Sequence, residues 1–345
     1  MSVDYQVLPP DWSQSIVVAS STSLIATGFV LVLVGVRCAR NLRSQQNVPR
    51  GVFNTHLDIY VFFLILSDMM QALASILSIQ WLRQGRTTCG DVCYAQGSLK
   101  VISDAGPSMY SLAIAVHTFM VIVCRWEPRS SRIPAIVVCL TWTYRLVFYA
   151  AIAGAAEPGE PLFRPTPFWC WISAHYAQER IPAFYFWLWS CTGLSIVLYV
   201  PLFLYIRGNL EVDSSRIWRV SLRRAPQPIE RFGTNFRLAD QSRKMLMYPV
   251  VYVVLSVPFS VMRWAASFRA THAVPAPWYF LCISLHYYEG LANVLLLILT
   301  RPSILGFSRT MPHRGEIVDD PSRPRVAREI QAIESVESSA TQETM

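Results

Sequence analysis

Seven long apolar runs, separated by polar segments, organise this chain of 345 residues. They cover 15–36, 57–81, 98–124, 134–155, 183–206, 245–262 and 278–300. Each approaches or exceeds the roughly 20 residues that a helix needs to cross a bilayer's hydrocarbon core. Lipid offers no partner to a backbone N–H or C=O, so helix is the predicted state of each run. The pattern therefore predicts an all-α membrane protein. A seven-transmembrane helix bundle occupies 15–307, after a short segment 1–14 and before a polar, mixed-charge tail 308–345 that is expected to be disordered.

Composition agrees. Hydrophobic residues make up 53% of the chain, charged residues only 15%, and the mean hydropathy is +0.33. Soluble domains carry about 25% charged residues, so a disordered chain and an ordinary soluble enzyme are both disfavoured. The net charge of +8 invites a nucleic-acid partner. Its distribution points elsewhere: 22 of the 30 Lys and Arg residues fall on one side of the predicted bundle, and only 6 on the other. By the positive-inside rule the N-terminus lies outside and the tail is cytosolic, as in a multi-pass plasma-membrane protein. Segment 1–14 has no Lys or Arg and the first run is too long for an h-region, so no cleavable signal peptide is expected. The cytosolic loop 207–244 holds nine basic and four acidic residues. Either an acidic partner or anionic lipid suits it, and charge alone favours lipid. Ser335, Ser338, Ser339, Thr341 and Thr344 in the tail are candidates for phosphorylation, or simply solvated. Trp81, Trp126, Trp169, Trp171, Trp264 and Trp278 fall near the ends of runs, where aromatic belts sit.

The eight cysteines are not a secreted framework. Cys124, Cys139, Cys191 and Cys282 are read as packing residues within the runs. Cys38 and Cys124 lie near the inner face, within reach of palmitoylation. Cys89, Cys93 and Cys170 fall outside, where disulfides persist. A bridge to Cys170 would tie the outer ends of helices 3 and 5, and spacing leaves Cys89 and Cys93 equally open as its partner.

Ionisable groups inside a span mark function by default. Asp68 sits mid-span with Ser67 and Gln71 beside it; Asp104, Ser108 and Ser111 share one face of span 3; His286, Glu289 and Asn293 share one face of span 7. Three polar stripes imply a hydrated interior. The outer set, Lys100, Asp104, Ser108, Tyr185, His286 and Glu289, is the candidate ligand site. Asp68 and Asn293 are the candidate conformational switch, with Pro249 and Pro258 as the kinks about which span 6 pivots. Pairing with an acid, snorkelling and ligand binding all remain open for Arg145.

Six strings, in order, resemble the fungal cyclic-AMP-receptor-like G-protein-coupled receptors, a family related to slime-mould cyclic-AMP receptors that includes yeast glucose-sensing receptors. They are Leu66 to Gln71; Cys93-x-x-Gln96-Gly97 with Ile114 to Phe119; Cys170-Trp171-Ile172 with Tyr176, Arg180 and Tyr185 to Trp187; Tyr199 to Gly208; Ser242 to Pro249; and Gly290 to Arg301. Together they touch every helix but the first and fourth. The resemblance implies a receptor that activates the α subunit of a heterotrimeric G protein, often towards cyclic-AMP signalling. It selects Cys93 as the partner of Cys170 and leaves Cys89 without a role. It implies a coupling surface at Arg125, Arg243 and Lys244, reached when helices 5 and 6 move. The ligand is not carried over; a nutrient or small metabolite is the class expected. Two departures stand out. Arg125-Trp126-Glu127 replaces Asp-Arg-Tyr at the end of helix 3, and Asn293 is followed by Val294-Leu295-Leu296-Leu297 where Asn-Pro-x-x-Tyr would stand.

Other seven-helix classes fit less well. A retinal protein needs a lysine in its last helix, and span 7 has none. A zinc hydrolase would have to be built from His117, His286 and Asp68 without a paired-His motif. A transporter or channel lacks the internal repeats that mark many such proteins. No catalytic residue, metal or cofactor is expected.

Overall fold

Where no water is present, helices satisfy themselves, and the chain obeys that rule along seven long, apolar helical spans. In the computed structural model these are Gln14–Arg43, His56–Gln84, Asp91–Ile122, Arg132–Gly154, Ala177–Leu202, Met247–Trp264 and Pro277–Thr300, here spans 1 to 7. The structure describes 6–7, 10–43, 53, 55–124, 130, 132–165, 169–206, 210–213, 216–222, 244, 247–268 and 276–305. Arg125, Trp126, Arg243, most of 207–244 and the tail 308–345 lie outside the described residues.

Every predicted run overlaps a helical span, with ends shifted by up to seven residues. Span 1 packs on spans 2 and 7. Span 3 is central and touches spans 2, 4, 5 and 6. Beside two small ones at Trp81 and at Val123, two large apolar clusters fill most of the described bundle. One, at the end where span 3 begins, gathers Trp169, Trp171, Phe184, Leu188, Phe259, Phe280 and Ile283. The other, at the opposite end, gathers Tyr60, Leu64, Ile65, Tyr110, Ile114, Tyr248 and Leu297. The outward faces are apolar too, as with Ile25, Phe29 and Val32 on span 1 and Leu140 and Val147 on span 4. A soluble protein would bury such stripes; a membrane protein offers them to lipid.

Three spans predicted as continuous are broken. Span 2 consists of helices His56–Ile76 and Ser78–Gln84. Span 3 consists of helices Asp91–Ser103 and Ala105–Ile122. Pro107, which has no N–H to give to the carbonyl four residues back, accounts for the break. Span 7 is likewise split into Ala276–Tyr287 and Glu289–Thr300. Span 5 is entered through a π-helical turn, Ile181–Tyr185, ahead of helix Phe186–Ile206. Pro258 lies in the interior of helix Met247–Phe268; Pro249 is near its described start, and residues 245–246 before it lie outside the described residues.

Among the described residues there are three short antiparallel pairs: β1 (Gln6–Val7) with β2 (Arg86–Thr87), β3 (Phe163–Pro165) with β4 (Cys170–Ile172), and β5 (Leu210–Asp213) with β6 (Arg216–Leu222). The β3–β4 ribbon folds back over the bundle, and Cys170 is bonded to Cys93. The string around Cys93 has a physical reading. Gln96 Oε1 accepts from Trp81 Nε1 (3.1 Å) and from the Cys170 backbone N–H (2.8 Å), while its Nε2 donates to Ala74 O and Ser78 Oγ. One buried amide thus joins spans 2 and 3 to the ribbon. Gly97 leaves the space that the Phe163 ring takes, which a Cβ would overlap.

Further expectations are corrected. Trp81, Trp169 and Trp171 are buried, not set in an aromatic belt, because the ribbon turns two of them inward; Trp264 and Trp278 remain exposed. Cys139 is exposed on span 4 rather than packed, while Cys191 is buried.

Gln96→Met keeps the volume but strands the Trp81 and Cys170 donors. It should cost about 2–4 kcal/mol of stability, read as a fall in thermal midpoint of the detergent-solubilised protein. Gly28→Ala, where an added Cβ meets nothing within 4 Å, should leave that midpoint unchanged.

Candidate functional site

The ribbon places the Trp169 indole inside the mouth of the bundle. It stacks on Tyr279 with ring centres 6.1 Å apart and lies 5.9 Å from Phe259. Cations surround it. The Arg263 guanidinium lies 4.9 Å from the Trp169 ring and 4.2 Å from that of Trp171. Lys100 Nζ lies 5.8 Å from Trp169, donates to the Tyr287 hydroxyl at 3.0 Å and approaches Asp104 Oδ2 at 4.0 Å. Arg180 donates from Nε and Nη2 to the Ile172 carbonyl, which fixes the far strand of the ribbon. Tyr185 presents its ring edge-on to Trp171 and Trp264.

Phe259 carries this aromatic cluster inward, stacking on the His286 ring at 4.9 Å. His286 Nε2 lies 2.8 Å from Gln71 Nε2, and its Nδ1 lies 3.1 Å from Ser256 Oγ. Ser256 donates to Glu289 Oε2 at 3.1 Å. One proton order satisfies all three contacts. The Gln71 amide donates to Nε2, Nδ1–H donates to Ser256, and Ser256 donates to the carboxylate. Such a directed chain polarises along its length. One turn further, Asn293 Nδ2 donates to Asp68 Oδ2 at 2.8 Å. Asp68 Oδ1, Glu289 Oε1, Asn293 Oδ1 and Ser111 Oγ, all buried, accept or donate no hydrogen bond within the described residues.

The backbone breaks in spans 3 and 7 lie next to this polar layer and are satisfied by it. Arg145 Nε donates to Ile102 O at 2.6 Å, its Nη1 donates to Ser67 Oγ at 3.2 Å, and its guanidinium covers the Trp142 ring. Arg145 therefore braces spans 2, 3 and 4. Gly106 makes the brace possible: a Cβ there would lie 2.5 Å from Ser67 Oγ and 2.6 Å from Arg145 Nη1. At the span 7 break, Ser23 Oγ donates to Tyr287 O and accepts from Leu291 N.

A third set lies at the end of the bundle away from the disulfide. Asp58, which closes a capping box with Thr55, lies 3.3 Å from Arg301 Nη1, and both side chains are buried. The Tyr248 hydroxyl lies 3.1 Å from Thr300 Oγ1, and Arg37 Nη1 donates to Ile304 O. Spans 1, 2, 6 and 7 meet there.

The structure thus brings Lys100, Asp104, Tyr185, His286 and Glu289 around the ribbon and the layer beneath it. Ser108 donates to Ala105 O of its own helix. Asp68 and Asn293 are directly bonded. Lys244 is exposed, and its companions Arg125 and Arg243 lie outside the described residues. His117 packs against His56 and Tyr60, whereas His286 bonds to Gln71 and Ser256, so the zinc trio of the hydrolase reading does not assemble. Among the described residues no group of three His, Cys, Asp or Glu side chains is placed to hold a metal. A shallow groove of about 420 Å³ between spans 5 and 6, lined by Tyr185, Phe186, Trp189 and Trp264, lies apart from the polar layer.

Sequence reasoning missed Trp169, Phe259, Ser256, Arg263 and the Asp58–Arg301 pair as members of the network. Asp58 and Arg301 did carry a signal, each being a charge at the end of an apolar run. A double-mutant cycle of Asp68→Asn and Asn293→Ala should return a coupling energy of about 1–3 kcal/mol in thermal or chemical unfolding. Additive effects would mean that the 2.8 Å contact contributes nothing of its own.

No protein-family model matches this chain, and no curated protein matches it in sequence. At the level of structure it is similar to squid rhodopsin, with a TM-score of 0.57 and 13% identity over 89% of this chain and 82% of that one. The chain has a rhodopsin-like seven-helix fold, that of a multi-pass membrane protein.

Proposed function

We propose that this protein is a plasma-membrane G-protein-coupled receptor of the fungal cyclic-AMP-receptor-like type, with its N-terminus outside and its tail in the cytosol. The observation that carries this reading is the chain of contacts from Trp169 through Phe259 and His286 to Ser256 and Glu289, inside a rhodopsin-like bundle. A ligand that perturbs Trp169 acts on the polar layer through two ring contacts. The same linkage in reverse makes ligand affinity depend on the state of that layer.

A small extracellular molecule, a nutrient or metabolite, binds among Lys100, Asp104, Ser108, Tyr185, His286 and Glu289. It shifts the population towards a state it binds better, by no more than its differential affinity. Asp68 with Asn293 passes the shift on. Span 6, bent at Pro258, moves at its inner end, where Tyr248 meets Thr300. The G protein's α subunit then docks against Arg125, Arg243 and Lys244 and feeds cyclic-AMP signalling. The charge asymmetry of the loops and the resemblance of six ordered strings support this assignment of sides and partner.

Nucleotide exchange on co-expressed Gα in membranes tests the reading, with sugars, amino acids, cyclic AMP and lipids as the panel. Receptor-dependent exchange that rises with one compound is the expected result. Reversing the charge at Arg125, Arg243 and Lys244 together should lower exchange at least tenfold at unchanged surface expression; full coupling in that variant would remove the docking surface. Tyr248→Phe deletes one hydrogen bond between spans 6 and 7, worth about 1 kcal/mol, and should raise basal exchange roughly fivefold.

A further inference from the structure

A buried ion pair closes the end of the bundle away from the disulfide. Asp58 Oδ1 lies 3.3 Å from Arg301 Nη1, and the two side chains are 1% and 7% exposed. The segments that carry them also supply Leu57, Val61, Leu297 and Ile304 to the aliphatic cluster. Two charges in such surroundings are a poor means of simple adhesion. Burying them removes both ions from water, and an apolar pair of similar volume commonly holds as well or better. What an ion pair adds is a sharp choice between two states. Either the charges stay together, or each must find water, because a lone buried charge is costly.

The two partners are held unequally. Asp58 is seated by its own helix start. Its Oδ2 accepts from the Thr55 backbone N–H at 2.9 Å, and its own backbone N–H donates to Thr55 Oγ1 at 3.3 Å. One carboxylate oxygen thus serves the cap and the other faces Arg301. Arg301 instead follows the last residue of helix Glu289–Thr300, where the backbone has left the helical conformation. Its carbonyl accepts from the Ile304 N–H at 3.1 Å, and the Ile304 carbonyl accepts from Arg37 Nη1 at 2.8 Å. Asp58 therefore sits in a fixed turn and Arg301 at a backbone joint.

Span 6 is tied to the same joint. Thr300, the residue before Arg301, has its Oγ1 3.1 Å from the Tyr248 hydroxyl, near the described start of helix Met247–Phe268. Two adjacent residues at the end of span 7 thus connect span 6 to span 2. The hydroxyl contact is neutral and the weaker of the two, since charge-assisted contacts are roughly twice as strong. The ion pair is the contact that decides whether the end of span 7 stays against span 2.

We propose that Asp58–Arg301 is an autoinhibitory latch. Closed, it holds the end of span 7, and through Thr300 the near end of span 6, against span 2. Released, Arg301 turns out to water and these ends part. Its effect on signalling rests on the receptor reading above; the two-state latch itself does not.

Hydrogen exchange of the detergent-solubilised full-length protein reads the latch directly. Asp58→Asn and Arg301→Met each remove one charge and keep a side chain of similar size. Either should speed exchange roughly tenfold in peptides covering 247–256 and 294–305, because exchange there follows local opening. Arg301→Lys, which keeps the charge, should restore most of the protection. Peptides covering 93–103 and 170–180, at the disulfide end, should match the unsubstituted protein and show that the variants are folded. Unchanged exchange at 247–256 in both uncharged variants would overturn the latch. So would a rise of equal size at both ends of the bundle, the mark of a general loss of stability. Nucleotide exchange on co-expressed Gα, per receptor at the surface, then supplies the sign. An autoinhibitory latch predicts basal exchange above that of the unsubstituted protein in both uncharged variants and near it in Arg301→Lys; a fall would overturn the autoinhibitory role. No nucleotide exchange from any form, with the local hydrogen-exchange pattern present, would overturn the receptor reading and leave the two-state latch standing.

Discussion

A charged or amide group in the middle of a bilayer has little water to return to, so it draws its partners from the protein. That constraint organises the interior of this bundle. Arg145 meets it in part, with a backbone carbonyl, a hydroxyl and an indole face, while its Nη2 has no hydrogen-bond partner within the described residues. Gln71, His286, Ser256 and Glu289 meet it by sharing protons in one direction. Even the breaks in spans 3 and 7 conform: Arg145 takes the Ile102 carbonyl just before the first, and Ser23 takes the Tyr287 carbonyl at the second. Helix irregularity is tolerated in these spans where a neighbouring side chain is ready to receive the released backbone group.

The mouth of the bundle is held by a different economy of contacts. The β3–β4 ribbon is tied by the Cys93–Cys170 bond, by Gln96 to the Cys170 N–H and by Phe163 against Gly97. Each tie reaches span 3, so ribbon and span 3 form one rigid corner. Trp169 is consequently a fixed feature of the interior and not a loop residue that samples it. Its cationic neighbours Arg263 and Lys100 lie over ring faces, and Lys100 also approaches the Asp104 carboxylate.

Much of the fold was legible in the sequence, because hydrophobic length is a strong signal in a membrane protein. The seven runs, the buried stripes through Asp68, Asp104 and Glu289, and the pairing of Asp68 with Asn293 could all be read along the chain. The misreadings share one cause. Trp169 and Trp171 read as belt residues because a span end looks the same whether the following ribbon turns inward or outward. Cys139 read as core because helical position does not reveal which face meets lipid when all faces are apolar. Arg145 stayed open because its partners, Ile102 and Ser67, belong to two other spans and bring no opposite charge that a sequence search would notice. Pro107 passed unremarked beside the more conspicuous prolines of span 6. The ribbon after span 5 escaped notice because a strand of four residues carries little periodic signal beside a run of arginines.

The interior falls into three layers: an aromatic layer under the ribbon, a polar layer around Asp68 and Glu289, and an aliphatic layer at the far end. The two apolar clusters are separate, and Asp104 and Tyr288 interrupt the helices that run through both. Changes in the aromatic layer therefore reach the aliphatic one only by way of the polar layer between them. A lineage carrying this architecture can change its two ends by separate routes, and the polar layer is the part that has to suit both.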